Sequence, residues 1–158
     1  MRRKNYYKLF KNQGKLFVKF YNPLKGKFEK MRVSSNKANV HDDFDDDYLA
    51  CITEVKNDEY EIVINIEQFS DVLSIRNTLV KNYYIDFIIL HEIGHYLLAH
   101  TLMETSPNSV EDQLIEEQAD EYALNTVRTN RRLRKLIAAF EEREEPPLDI
   151  PQYGAFRP

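Results

Sequence analysis

Two-residue alternation of apolar and polar positions governs the first part of the chain, and helical spacing governs the rest. Lys15-Leu-Phe-Val-Lys-Phe-Tyr21 and Lys27-Phe-Glu-Lys-Met-Arg-Val33 read as two strands, with Asn22-Pro23-Leu24-Lys25-Gly26 as the turn between them. Residues 48–56 and 59–66 are β-rich runs joined at Asn57-Asp58, a second hairpin. In the later run Tyr60, Ile62, Ile64 and Ile66 alternate with Glu61, Val63 and Asn65, which gives one firmly apolar face. The spacing then predicts a helix over 72–82 and another over 83–103. The second is apolar nearly all round, the mark of a buried helix. Ser109, with Asp112 three residues on, predicts the cap of a third helix. A last helix over 129–143 turns Leu133, Leu136, Ile137 and Phe140 inward. Its early arginines and late glutamates oppose the helix dipole, so packing or ion pairs must hold it. The expected architecture is α+β: N-terminal β-hairpins in an antiparallel sheet, followed by a helical bundle. Residues 1–143 read as one domain and 144–158 as a proline-rich tail, extended or disordered.

The buried helix contains His91-Glu92-Ile93-Gly94-His95. Imidazoles four residues apart share a helix face, where they can hold one zinc ion while the neighbouring carboxylate reaches its water. Two histidines and a glutamate in an apolar helix are costly unless something satisfies them. Gly94 costs about 1 kcal/mol against alanine in a helix interior. It is explained if another element, or a bound peptide, comes close to the backbone.

A third ligand must come from elsewhere. His100 lies five residues after His95, roughly 140° round the helix, and cannot reach the same metal. Leu98 and Thr101 stand where a metzincin needs glycine and histidine. The next helix offers Glu116, Glu117, Asp120 and Glu121. Positions 116, 119, 120, 123 and 127 form a small, apolar stripe with two acids in it, whereas 117, 121, 125 and 128 form a solvated face. Glu116 is therefore the expected third ligand. Asp120, one turn on, is expected to accept the free N–H of a ligating histidine, His91 by preference. Zinc on His91, His95 and Glu116 keeps a fourth position for water, from which Glu92 takes a proton that it can return to the leaving amine. Tyr122, His100, Tyr83, Tyr84 and His41 are all open as donors to the oxyanion.

His-Glu-x-x-His followed by Glu-x-x-Ala-Asp on a later helix resembles the gluzincin metallopeptidases. With the fuller string from His91 to His100, the chain looks most like the ImmA/IrrE family over roughly residues 60–126. The resemblance implies a small zincin-like domain and a zinc-dependent endopeptidase whose protein substrate is a regulatory, repressor-like protein. It also suggests that the 59–66 strand is an edge that holds substrate by strand addition. The chain departs from the family after the acid helix, where it reads Tyr122-Ala-Leu-Asn-Thr-Val127, and in its basic opening.

Composition agrees with one soluble domain: 158 residues, 42% hydrophobic and 30% charged. The opening residues lack the apolar core of a signal peptide, no stretch suits a membrane span, and Cys51 stands alone. All three favour the cytoplasm. Charge is divided sharply. Residues 1–40 hold 12 Lys/Arg against one acid, Glu29, and the remainder holds 10 against 25. Such a basic segment attracts nucleic acid or an acidic protein, and Tyr6, Tyr7, Phe10, Phe17, Phe20 and Tyr21 are rings able to stack on bases. Lysines on the wet face of a hairpin are ordinary, however, so nucleic acid is the lesser expectation. The alternative to a peptidase is a catalytically silent zinc-fold protein whose basic hairpin engages a protein or nucleic-acid partner. The acidic run 42–47 lacks the glycine and terminal glutamate of an EF-hand loop and reads as a solvated loop.

Overall fold

The computed structural model describes residues 6–36, 49–99 and 109–143. His41, the acidic run 42–47, His100 and the tail 144–158 lie outside them. The elements in chain order are β1 (Tyr7–Asn12), β2 (Lys15–Asn22), β3 (Lys27–Asn36), β4 (Ala50–Lys56), β5 (Glu59–Asn65), α1 (Ile66–Leu73), α2 (Thr78–Leu97), α3 (Val110–Thr126) and α4 (Arg131–Arg143). The α+β class holds.

Both expected hairpins are present, and β1 adds a third antiparallel pair. Gln13 and Gly14 make its two-residue turn, both at positive φ (53° and 77°), as a tight hairpin requires. The β2–β3 turn is built by Asn22, whose Oδ1 accepts from the Leu24 and Lys25 amides at 3.0 and 3.3 Å.

Strand order is β1-β2-β3-β5-β4. β3 runs parallel to β5, pairing Val33 with Ile62 and Ser35 with Ile64. The sheet is therefore mixed, not antiparallel as expected. The same pairing removes β5 from the edge, so the 59–66 strand has no free side for a substrate. Among the described residues the edges are β1 and β4.

One face of the sheet carries the core. Val18, Phe20, Met31, Val33 and Ile62 point from it into a cluster with Phe87, Ile88, Leu90 and Ile93 of α2. Burying such side chains is worth about 1.5–3 kcal/mol each. The helix expected over 72–82 is in fact the end of α1, a break, and the start of α2. Asn77 makes that division: its side chain accepts from the Leu79 and Val80 amides at 3.0 and 3.2 Å and caps α2. α2 thus begins earlier than residue 83. It also stops at Leu97, short of residue 103, because Ala99 turns left-handed (φ 59°). No helix among the described residues is long and apolar enough to cross a membrane.

Ser109 caps α3 as expected, its Oγ accepting from the Asp112 amide at 3.1 Å. In α4, Leu133, Leu136, Ile137 and Phe140 pack against the core. A polar clamp closes the far end: the Tyr7 hydroxyl donates to Asp86 at 2.9 Å and accepts from the Arg128 amide at 3.1 Å. The Arg128 guanidinium lies over the Tyr7 ring and donates to the Tyr7 carbonyl. β1, α2 and the end of α3 are tied together there.

Candidate metal centre

α2 and α3 pack antiparallel, and their closest approach is made of small residues. A Cβ on Gly94 would meet the Ala119 Cα and carbonyl oxygen and the Tyr122 ring, each at 3.2 Å. The close element anticipated for Gly94 is therefore α3. Its approach brings the acid stripe of α3 under the two histidines of α2.

His91 Nε2 lies 2.8 Å from Glu116 Oε2, and His95 Nε2 lies 3.3 Å from Glu116 Oε1. The two Nε2 atoms are 3.1 Å apart. On its other side the His91 ring meets Asp120, Nδ1 to Oδ1 at 2.8 Å. The two Nε2 atoms and the Glu116 carboxylate thus converge on one point, and a second acid, Asp120, holds the His91 ring from behind. Glu92 also brings a carboxylate oxygen within 4.8 Å of both rings. Two acids consequently compete as third ligand. Glu116 is better placed, because its two oxygens face both Nε2 atoms, leaving Glu92 beside the pair.

Burial grades across the cluster. The side chains of His91 and Asp120 are 1% and 8% exposed, those of His95 and Glu116 12% and 27%. The centre is sealed behind His91 and opens towards Glu116. Burial alone would depress the His91 pKa, but hydrogen bonds to Asp120 and Glu116 and the nearby carboxylate charges override it and hold the ring up at about 9. Burial would raise the Glu116 carboxyl, but hydrogen bonds from both histidines hold it down at about 2. Glu92 has no such hydrogen bonds. Desolvation dominates, and its carboxyl is pushed up to about 7 against the pull of His91 and His95.

The donor set fits zinc. Tetrahedral bonds of about 2.0–2.1 Å hold N and O donors roughly 3.3–3.4 Å apart. The two Nε2 atoms are 3.1 Å apart and lie 2.8 and 3.3 Å from the two Glu116 oxygens, each pair at most about 0.6 Å short of that spacing. One buried imidazole with an acid behind it, one half-open imidazole and a carboxylate are also the expected donor chemistry.

The oxyanion candidates fare differently. Tyr83 and Tyr84 lie about two turns before His91, on the α4 side, where Tyr84 stacks near Phe140 and hydrogen-bonds Glu141. The Tyr122 hydroxyl is buried without a well-formed hydrogen bond, and its pKa is pushed up to about 12 by burial, partly offset by Thr126. The Tyr122 ring lies against Gly94 of α2.

Two neighbours of the site had no signal in local sequence. Cys51 lies on β4, a strand that packs against α2, and its thiol is pushed up to about 12 by burial, with a contribution from the charge of Glu92. Tyr96 packs against Phe20 and Tyr60 and donates to Glu29 at 3.3 Å. The one acid of the basic segment therefore pins the β2–β3 hairpin to the end of α2. Comparison of the chain with protein-family models, with characterised proteins and with solved structures gave no match.

Proposed function

We propose that this protein is a cytoplasmic zinc-dependent endopeptidase with a zincin-like fold, acting on a regulatory protein. The observation that carries the reading is the convergence of His91 Nε2, His95 Nε2 and the Glu116 carboxylate at 2.8–3.3 Å, with Asp120 behind His91. Zinc there supplies Lewis acidity, lowering the pKa of a water towards neutrality and polarising a carbonyl.

The chain's own residues do the rest. Asp120 fixes which His91 nitrogen faces the metal. Glu92, buried beside the two histidines, accepts a proton from the attacking water and passes it to the departing amine. The β4 edge, unpaired among the described residues and on a strand that packs against α2, is where an extended peptide would add as a strand.

The test is zinc content and cleavage of wild type and Glu92→Gln in parallel. Equal zinc is expected, with cleavage of co-expressed regulatory proteins lowered roughly 10²–10⁴-fold in the variant. The inactive variant also serves as a trap for the substrate. A wild type that takes up no zinc would overturn the reading.

A further inference from the structure

The core-distal face of β1–β3 carries a regular lattice that local sequence does not reveal. Register fixes it. Lys8, Lys19 and Lys30 lie opposite one another across the three strands. Two residues along one way is the row Phe10, Phe17 and Arg32. Two residues along the other way, Tyr21 pairs with Phe28, and the Tyr6 ring completes the row 5.2 Å from Phe28. A row of cations thus runs between two rows dominated by rings.

Neighbours in each row are about 4.8 Å apart, and the rows are about 7 Å apart. Phe10 and Phe17 are stacked at 5.6 Å, and Tyr21 and Phe28 meet at 5.2 Å. Lys30 and Lys19 each lie 5.3 Å from a ring centre, over Phe17 and Phe28 respectively. The three lysines and Arg32 are exposed, as is Phe28 at 38%. Glu29 is the only acid in residues 1–40, and it points to the core side, towards Tyr96. β1–β3 therefore place no negative charge on this face; the neighbouring acid is Glu61 of β5, which stands opposite Arg32 and accepts from the Ser34 hydroxyl at 2.8 Å, leaving the lysine row as the free cations among the described residues of this face.

Lysines are ordinary on a solvated hairpin and cross-strand ring pairs add about 0.2–1 kcal/mol each, but neither requires a row of cations set between two rows of rings. Rings flanking a line of cations match a chain of flat bases on a phosphodiester backbone: cations neutralise phosphates, and ring faces accept bases without regard to sequence. A duplex hides its bases and offers the rings nothing. We propose that the outer face of β1–β3 binds single-stranded nucleic acid, with Lys8, Lys19 and Lys30 on the phosphates and Phe17, Phe28 and their neighbours stacking bases. The site lies on the opposite side of the sheet from the helices and does not depend on the metal reading.

Fluorescence anisotropy of the full chain with labelled oligothymidylate and oligouridylate of about 12 nucleotides tests it. Binding of either at low salt is expected, with log affinity against log salt falling at a slope of roughly −2 to −3, as three or four neutralised phosphates dictate. Phe17→Ala with Phe28→Ala should weaken binding at least about tenfold. Lys19→Ala with Lys30→Ala should weaken it and flatten the salt slope, and this pair removes only exposed side chains, so it remains informative if the ring variant unfolds. Zinc content should be unchanged in both. The proposal is overturned by absence of binding at low salt, by equal affinity for an abasic phosphodiester chain or a duplex of the same length, or by equal affinity for polyglutamate.

Discussion

Phe20 and Phe28 stand on neighbouring strands of one sheet and do opposite things. Phe20 is fully buried on the helix side, in a core with Val18 and Phe87, whereas Phe28 is 38% exposed on the other face under a lysine. Charge follows the same division. On the helix side buried polar groups are met by named partners, His91 by Asp120 and Glu116 and Asp86 by Tyr7, with Glu92 the buried carboxylate that bears the cost of desolvation. On the outer side cations rest on rings and meet water. A buried charge must be satisfied from within the chain, so its partners can be inferred from the chain. An exposed one is satisfied by solvent and stays available to a ligand.

The largest effect expected is a direct contrast between these two rings. Phe20→Ala should cost about 3–5 kcal/mol, removing a fully packed ring. Phe28→Ala should cost less than about 1 kcal/mol. Denaturant unfolding of the two variants measures both. A large loss for Phe28→Ala would mean that the outer rings are a second core and not a surface held for a partner.

Next in size is the cost of keeping Glu92 buried. Its pKa is raised from 4.5 to about 7, so the folded state holds the proton more tightly than the unfolded chain. Ionisation therefore destabilises the metal-free fold. The penalty sets in above about pH 4.5 and is complete above about pH 7. At pH 8 Glu92→Gln should stabilise the metal-free protein by on the order of 2–3 kcal/mol, and near pH 4.5 it should gain almost nothing. Thermal melts at the two pH values decide the matter. Equal melting temperatures at pH 8 would show that Glu92 carries no such strain.

A smaller effect is expected at Asp120, behind the His91 ring. Asp120→Asn keeps the shape but loses the charge that holds the His91 ring, and zinc affinity should fall about 10–100-fold. Zinc must also displace the proton that His91 holds with a pKa raised to about 9. Wild-type affinity should therefore rise with pH, roughly tenfold per unit, until about pH 9. The Asn variant should level off at lower pH. Competition titrations with a zinc chelator read both quantities, and identical pH curves would separate Asp120 from the ring.

Sequence foretold the helix side far better than the outer side, for a physical reason. The spacing of His91 and His95, the stripe that holds Glu116 and Asp120, and the Ser109 cap each concern residues within a few turns of one another, where helical geometry is fixed. Errors came where distant segments had to meet. The parallel pairing of β3 with β5 spans 29 positions, from Val33 to Ile62, and no local pattern announces it. The lysine row needs three strands in a single register, and a slip of one residue would send it to the other face. The break between α1 and α2 was missed because Ser74 and Asn77 sit inside an otherwise helical spacing, and only the cap at Asn77 shows that the helix restarts.

The smallest effect lies at the end of α2. Ala99 occupies the left-handed position that stops the helix, with φ 59°, and its amide donates to the Tyr96 carbonyl at 3.1 Å. A side chain there costs about 1 kcal/mol that glycine avoids, while glycine loses more freedom on folding. Ala99→Gly should therefore stabilise the protein by a few tenths to 1 kcal/mol, a rise of a few degrees in melting temperature. Ala99 lies one turn beyond His95, so the same variant asks whether the helix stop also sets that ligand. Unchanged zinc affinity with a higher melting temperature would make Ala99 a stop and nothing more. Weakened zinc binding would mean that the strained end holds His95 in place from one turn further along the chain.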